Sequence, residues 1–414
     1  MKFHLTPLEK KWVLYDVANS AFTMMVSTII PIYFNALAKS AGISEVNYLA
    51  YWGYAISIST LIVAILGPTV GAASDRKGRK KRIFTAVILA GSILCLLLGF
   101  LRQWLIFLLV FAVAKTFYSV SLVIYDSTLC DITTEDRMDD VSSQGYAWGY
   151  IGSCVPFIAC LLMVLTADKT GLGQMNALTL SLIITAVWWL VVSMPLLKVY
   201  EQRHYIAAGD EADRNIGAEL WTSLKEIGRD RKVLLFLVAF FFYIDGVYMI
   251  IDMSTAYGSA LGLGSTDMLL ALLVTQFVAF PSAILMGKLS RTKDPVTLIT
   301  ICIAAYCGIA IFAFFMTQAW QFWVLAIGVG MFQGGIQALS RSYFTKIIPQ
   351  EKSGAYFGFY DICGKGASFI GTTMMGLVSQ LTGKVNYGVG VIAIFFIIGI
   401  VFFRMSAASA KTQR

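Results

Sequence analysis

Ionisable side chains inside long apolar stretches are the residues of this sequence best placed to do chemistry. Asp16, Lys115, Asp245, Asp252, Asp361 and Lys365 each interrupt a run that is otherwise hydrophobic. A charge facing hydrocarbon is costly, so such groups must face a partner, water or one another. Asp245 and Asp252 share one helical face, as do Asp361 and Lys365, which are close enough to pair directly. Lys115 and Asp245 lie near the midpoints of their stretches. There a lysine could take a carboxylate or phosphate and an aspartate an amine, the pattern expected for a solute of mixed charge. Asp245, Asp252 and Asp361 are candidates for coupling to protons. Asp361 with Lys365 reads equally as a structural ion pair, and Asp16, near a stretch boundary, as a hydrogen-bonded gate or a proton carrier.

Polar neighbours extend this set. Asn19 and Ser20 accompany Asp16, and Tyr118 lies on the Lys115 face. Gln144, Tyr243, Tyr248 and Gln276 add hydrogen-bonding groups, and Gln333 and Gln337 share a helical face with Arg341. Each can contact a solute or bond to another helix. Trp12, Trp104 and Trp320 fall near stretch ends, where aromatic rings anchor at an interface.

The elements that position these groups follow from composition. Of 414 residues, 58% are hydrophobic and 14% charged, too little charge for the surface of a soluble protein of this length. Apolar stretches of about 20 residues, enough to cross ~30 Å of hydrocarbon, recur from end to end. They predict spans at 12–37, 48–70, 82–101, 104–127, 142–165, 175–197, 232–257, 267–287, 295–316, 320–343, 354–380 and 385–403. The expected fold is an all-α polytopic membrane protein of twelve transmembrane helices in two six-helix bundles. The N-terminal bundle covers 1–197 and the C-terminal bundle and short tail 232–414. A cytoplasmic linker, 198–231, joins them. In it Ile216, Leu220, Leu224 and Ile227 recur at helical spacing, as for an amphipathic helix along the membrane surface. The run after Met1–Lys11 is too long for a signal segment and reads as a retained first helix. Most of the 32 Lys and Arg fall at the termini and in alternate loops, leaving Lys39, Arg102, Lys169 and Lys384 on the other side. That asymmetry predicts cytoplasmic termini.

The two halves echo one another. Gly71-Ala-Ala-Ser-Asp75-Arg76-Lys77-Gly78-Arg79-Lys80 follows the second span, and Gly287-Lys-Leu-Ser-Arg291-Thr-Lys293-Asp294 the eighth. Gly145-Tyr-Ala-Trp-Gly149-Tyr150 opens the fifth, and Gly354-Ala-Tyr-Phe-Gly358-Phe359 the eleventh. Parallel repeats around a central cavity suit alternating access. The Gly71–Arg82 stretch lacks a Gly-Lys-Ser/Thr ending and is no nucleotide loop. The seven cysteines have no zinc spacing, His4 and His204 fall in loops, and no nucleophile turn appears. No enzyme, cofactor, metal or nucleic-acid role is expected.

At Gly71–Arg82 the chain resembles the major facilitator superfamily, whose loop after the second helix reads Gly-x-x-x-Asp-Arg-x-Gly-Arg-Arg, Lys80 replacing the last Arg. Tyr15-Asp16-Val-Ala-Asn19-Ser20-Ala21-Phe22, Ser143-Gln-Gly145-Tyr-Ala-Trp148-Gly149-Tyr150, Gln337-Ala-Leu-Ser340-Arg341-Ser342 and Gly358-Phe-Tyr360-Asp361-Ile-Cys-Gly364-Lys365 narrow the likeness. Together they resemble the branch holding the yeast vacuolar autophagy-related amino-acid effluxer and its bacterial permease relatives. The resemblance implies that helices one, four, seven and ten line the cavity. It also implies that Asp75 and Arg79 brace the inner side, Arg79 pairing with Asp126 and Arg341 among the gating groups. In the second half Arg291 stands where Asp75 does in the first.

The expectation is a secondary active transporter for a small amphipathic or zwitterionic solute, such as an amino acid or short peptide. It would use alternating access and a proton gradient, as a monomer among membrane lipids in the bacterial cytoplasmic membrane. The competing readings are a lipid or glycolipid flippase and a non-transporting sensor or scaffold.

Overall fold

The computed structural model describes residues 4–207, 215–260, 264–382 and 385–412. The first half holds α1 (Pro7–Ser27), α2 (Ile29–Ser40), α3 (Glu45–Asp75), α4 (Lys80–Leu98), α5 (Trp104–Ser127), a short α6 (Leu129–Ile132), α7 (Met138–Leu165) and α8 (Gln174–Val199). The linker holds α9 (Ile216–Arg229). The second half holds α10 (Arg231–Ala260), α11 (Ser265–Leu289), α12 (Pro295–Phe314), α13 (Ala319–Ile347), α14 (Ser353–Thr382) and α15 (Val385–Thr412). Eleven stretches among the described residues are long and apolar enough to cross a membrane, α1 and α2 counting as one. The 30-residue α14 completes twelve. An even number of crossings puts both chain ends on one face, called here the basic face.

Local chemistry explains the boundaries. Thr6 and Glu9 cap α1 reciprocally: the Thr6 hydroxyl accepts the Glu9 N–H at 3.2 Å and the Glu9 carboxylate accepts the Thr6 N–H at 2.7 Å. The first span, expected unbroken over 12–37, breaks at Thr28 (φ −131°, ψ −72°). Pro31 offers no N–H to the carbonyl four residues back, and its ring crowds that carbonyl. The fifth span begins at Met138 rather than 142, which brings Asp139 and Asp140 into a helical first turn, where the helix dipole favours acid.

Each half has its own apolar core. In the first half these centre on Trp12, Tyr15 and Tyr125 and on Phe22, Phe34 and Trp189. In the second half the core centres on Phe236, Phe240 and Tyr360. The halves meet where α3 packs on α14 and α7 on α11. The α3–α14 seam brings two backbones into contact through glycine. A Cβ on Gly71 would fall 2.1 Å from the Gly354 carbonyl oxygen, and one on Gly358 would fall 2.3 Å from Pro68 Cα. Only hydrogen fits at either position.

The linker straps the seam on the basic face. The Tyr200 hydroxyl donates to Asp131 at 2.6 Å, and the Arg203 and His204 N–H groups donate to the same carboxylate at 3.1 and 2.8 Å. Helix α9 then bridges the halves, with Glu219 on Arg76 at 3.4 Å and Glu226 on Lys352 at 2.8 Å. Helix α9 buries Glu219, Ser223 and Ile227, while Trp221 and Leu224 are exposed. Burial pushes the Glu219 carboxyl above its ordinary range.

Candidate functional site

Two clusters of polar side chains close the seams on the basic face. At the α3–α14 seam Asp75 ends α3 and points at the start of α14. Its carboxylate accepts the N–H of Gly354 at 2.8 Å and of Ala355 at 2.9 Å. These are orphan donors at a helix N-terminus, where the dipole also favours an anion. Lys80 completes the cluster, its ammonium 3.1 Å from Asp75 and donating to the Ser353 hydroxyl at 2.9 Å. Both Asp75 and Lys80 are fully buried. Arg79, expected to pair with Asp126, is exposed instead. Gly78 turns the chain in the left-handed region (φ +71°), so the inward direction falls to Lys80, two residues later.

At the α7–α11 seam the charges are reversed. Arg291 stands at the repeat position of Asp75 and meets acid at the start of α7: its guanidinium donates to Asp140 at 2.7–3.1 Å. Beside it Asp139 accepts the Ser342 hydroxyl at 2.6 Å and pairs with Lys346 at 2.8 Å. The apparent degeneracy of the second repeat is thus a charge inversion matched by its partner helix.

Arg341, on α13 between the two seams, is 1% exposed. Its Nη1 donates to Asp126 on α5 at 2.9 Å, and its Nη2 to Asp16 on α1 at 3.3 Å. Nε and Nη2 also reach the hydroxyl and carbonyl of Ser142 on α7, at 2.9 and 3.0 Å. The guanidinium carbon sits 4.3 Å from the Tyr146 ring centre and 4.7 Å from that of Trp12, a cation–π enclosure. Trp12, expected at an interface, is fully buried here and donates to the Thr128 hydroxyl at 3.0 Å. Asp16 also accepts the Tyr125 hydroxyl at 2.8 Å and the Asn19 amide at 3.4 Å. Gly145 makes room: a Cβ there would lie 2.3 Å from the Asp16 carboxylate and 3.0 Å from Arg341.

Asp16, Asn19, Asp126 and Arg341 therefore form one cluster from three helices, with Asp361 of α14 within electrostatic reach of Asp126. Gln337 accepts the Tyr150 hydroxyl at 2.6 Å across the halves, and Gln333 is buried one turn away. Tyr118 bonds the Thr23 hydroxyl and packs between Phe22 and Trp189. Lys115, one turn along α5, is half-buried. Gln144 accepts the indole N–H of Trp148 at 3.1 Å. Asp361 and Lys365 pair at 2.6 Å, with side chains 15% and 28% exposed. Asp245 is buried on α10 against Gly371 of α14, where a Cβ would approach its carboxylate to 2.3 Å. The side chain of Asp252 lies outside the described residues.

Among the described residues one grouping has metal-ligand chemistry: Cys130, Asp131 and His204 place ligand atoms within 4.8 Å of one another. Asp131 Oδ1 already meets the N–H groups of Arg203 and His204 and the His204 ring at 2.9 Å. Burial also pushes the Cys130 thiol up to about 12, and its sulfur bonds the Ser127 carbonyl and the Ser353 hydroxyl, so Asp131 serves the linker strap and Cys130 the α14 seam.

Residues 8–414 match the family model described as "Vacuole effluxer Atg22 like". The chain is 42% identical over its full length to the MFS-type transporter YxiO of Bacillus subtilis, covering 98% of that protein. It is 22% identical to autophagy-related protein 22 of Kluyveromyces lactis, over 95% of this chain and 92% of that one. The fold resembles the Escherichia coli fucose:proton symporter FucP, with a TM-score of 0.71, 17% identity and 97% of each chain covered. It also resembles the human organic anion transporter MFSD10, with a TM-score of 0.70, 12% identity and 96% and 99% covered. The chain is a membrane transporter, not an enzyme, and it belongs to the Atg22-like family of the major facilitator superfamily.

Proposed function

We propose that the protein moves a small amphipathic or zwitterionic solute, an amino acid or short peptide, by alternating access. The observation that carries this reading is the placement of Lys115, Asp361 and Lys365. Charges of both signs stand half-buried on α5 and α14, which pack together across the two halves. A site of that kind can take a carboxylate and an amine at once, while the aromatic rings around Tyr118 accept an apolar body. The seams on the basic face are closed by ion pairs and hydrogen bonds rather than by a continuous apolar core. Such contacts can be exchanged for water when the halves rock apart. The basic face is read as cytoplasmic from its charge, in a bacterial cytoplasmic membrane, with the proton gradient as driving force and the monomer as working unit.

The test is solute exchange in proteoliposomes, using mixed labelled amino acids and short peptides, with pH gradients imposed in both directions. Lys115→Ala and Asp361→Ala should each lose at least about tenfold in exchange while remaining folded, the loss of one good polar contact. Normal exchange in both variants sinks the proposed site. Lipid movement draws on a separate observation, an apolar cleft of 150 Å³ between α3, α4 and α5, lined by Ile62, Leu66, Val113 and Phe117. Its signature in the same liposomes would be transfer of labelled lipid between leaflets without solute exchange.

A further inference from the structure

Helix α9 sorts its charges by face. Its two acids turn to the protein, Glu219 to Arg76 at 3.4 Å and Glu226 to Lys352 at 2.8 Å, and the Tyr356 hydroxyl donates to Glu226 at 3.4 Å. Asp230, the next acid, accepts the N–H groups of Lys232 and Val233 at 2.9 and 3.3 Å and so caps α10. The cations Lys225 and Arg229 turn outward, and both are exposed. From Ile216 to Asp230 every acid is thus engaged by the protein, and both cations are left outside. The same outer face carries apolar surface that the described residues leave uncovered. Trp221 is 58% exposed and Leu224 44%. The Lys225 ammonium lies 5.3 Å from the Trp221 ring centre, and Arg229 follows one helical turn later. An exposed apolar patch rimmed by charge marks a surface that meets something other than water.

We infer that this face docks on the anionic lipid surface of the surrounding membrane, Trp221 and Leu224 entering the headgroup layer and Lys225 and Arg229 meeting lipid phosphates. The place of α9 in the fold suits that partner. The helix packs against α3, α10 and α14 on the basic face, and Asp230 alone separates it from Arg231, where a membrane span begins. The apolar stems of Lys and Arg let their heads reach phosphate while the indole sits deeper. Charge complementarity commits the face to anionic rather than neutral lipid, because no acid on it offsets the two cations. Ile227, expected on the membrane stripe, is buried against the protein instead, so the lipid-facing stripe is rotated to Trp221. The assignment goes beyond the transport reading and does not depend on which solute is moved.

The experiment places a nitroxide at Leu224→Cys in the full chain, with the half-buried Cys307 and Cys363 replaced by serine and the other cysteines buried. A second chain labelled at Asp136→Cys supplies an exposed reference on the basic face. Each is held in nanodiscs of phosphatidylcholine, with or without one lipid in three replaced by phosphatidylglycerol. Collisions with oxygen and with a water-soluble nickel chelate are read by power saturation. With phosphatidylglycerol the Leu224 label should meet oxygen more than nickel, while the Asp136 label meets nickel in both discs. Each basic residue near an anionic surface shifts such an equilibrium about fivefold. Lys225→Gln with Arg229→Gln should therefore cut the ratio of immersed to water-facing label by about fivefold to thirtyfold, and added salt should act in the same direction. Nickel access at Leu224 equal to that at Asp136 in both discs overturns the docking. Equal immersion in neutral and anionic discs overturns the recognition of charge. A label shielded from both reagents would mean that protein covers this face, a second copy or another segment, and would overturn the assignment as well.

Discussion

Asp75 and Gly354 join the two halves of the transporter: the Asp75 carboxylate accepts the Gly354 N–H at 2.8 Å, from the end of one membrane helix to the start of another. The same acid holds Lys80 at 3.1 Å, so one buried carboxylate both caps α14 and neutralises a cation. Removing it leaves Lys80 buried without its anion. Asp75→Ala should cost ~3–5 kcal/mol, the range for breaking a buried pair, seen as a lower unfolding midpoint. Asp75→Ala with Lys80→Ala should cost clearly less than the sum of the single changes. Simple additivity would mean the two residues are not coupled.

Gly71→Ala tests the closed seam by crowding it. The new methyl would lie 2.1 Å from the Gly354 carbonyl oxygen, backbone against backbone, so the helices must separate. Overpacking of ~1–3 kcal/mol favours the open form by at least about fivefold. Cys130, 4% exposed and 3.8 Å from the Ser353 hydroxyl, is a native reporter of this opening. Its labelling by an impermeant maleimide, read by mass spectrometry, should rise in proportion. Unchanged labelling would place the closed seam elsewhere.

The second seam should tolerate inversion. Arg291 is 33% exposed in its pair with Asp140, so solvent screens the interaction and Asp140→Ala should cost only about 1 kcal/mol. Asp140→Arg alone sets two cations together and should cost more. Adding Arg291→Asp should recover most of that loss in thermal unfolding. If the double swap is no better than the single change, packing rather than charge governs this contact.

Arg341→Lys keeps the charge and loses the fork. A single ammonium cannot reach Asp126, Asp16 and both Ser142 oxygens together, and it stacks less well over Trp12 and Tyr146. Exchange should fall by at least about tenfold, the equivalent of ~1.4 kcal/mol, with faster Cys130 labelling. Exchange at the parent rate would show that only the charge matters.

Much of the fold was legible in the sequence because span length and charge asymmetry are properties of composition along the chain. Phase and long-range contact are not. Which of Arg79 and Lys80 turns inward depends on the angle at which the chain leaves Gly78, and two adjacent cations look alike without it. The break at Thr28 was ambiguous because membrane helices often keep a proline, as α3, α7, α8 and α11 do at Pro68, Pro156, Pro195 and Pro281. Asp16, Asp126 and Arg341 could each be singled out from the sequence. Their meeting could not, since Asp16 and Arg341 are 325 residues apart and no periodicity links them. Asp139 and Asp140 lie outside the apolar run that marks the fifth span, because α7 begins four residues before that run.

The central claim is that transport requires the basic-face seam to open, and a reversible lock across it tests this most directly. Ser353→Cys places a thiol beside native Cys130, whose sulfur lies 3.8 Å from the serine oxygen it replaces. Oxidation should join α14 to the segment after α5 and abolish solute exchange in proteoliposomes, and a reductant should restore it. Exchange that continues at the unlocked rate with the bond fully formed would contradict the account.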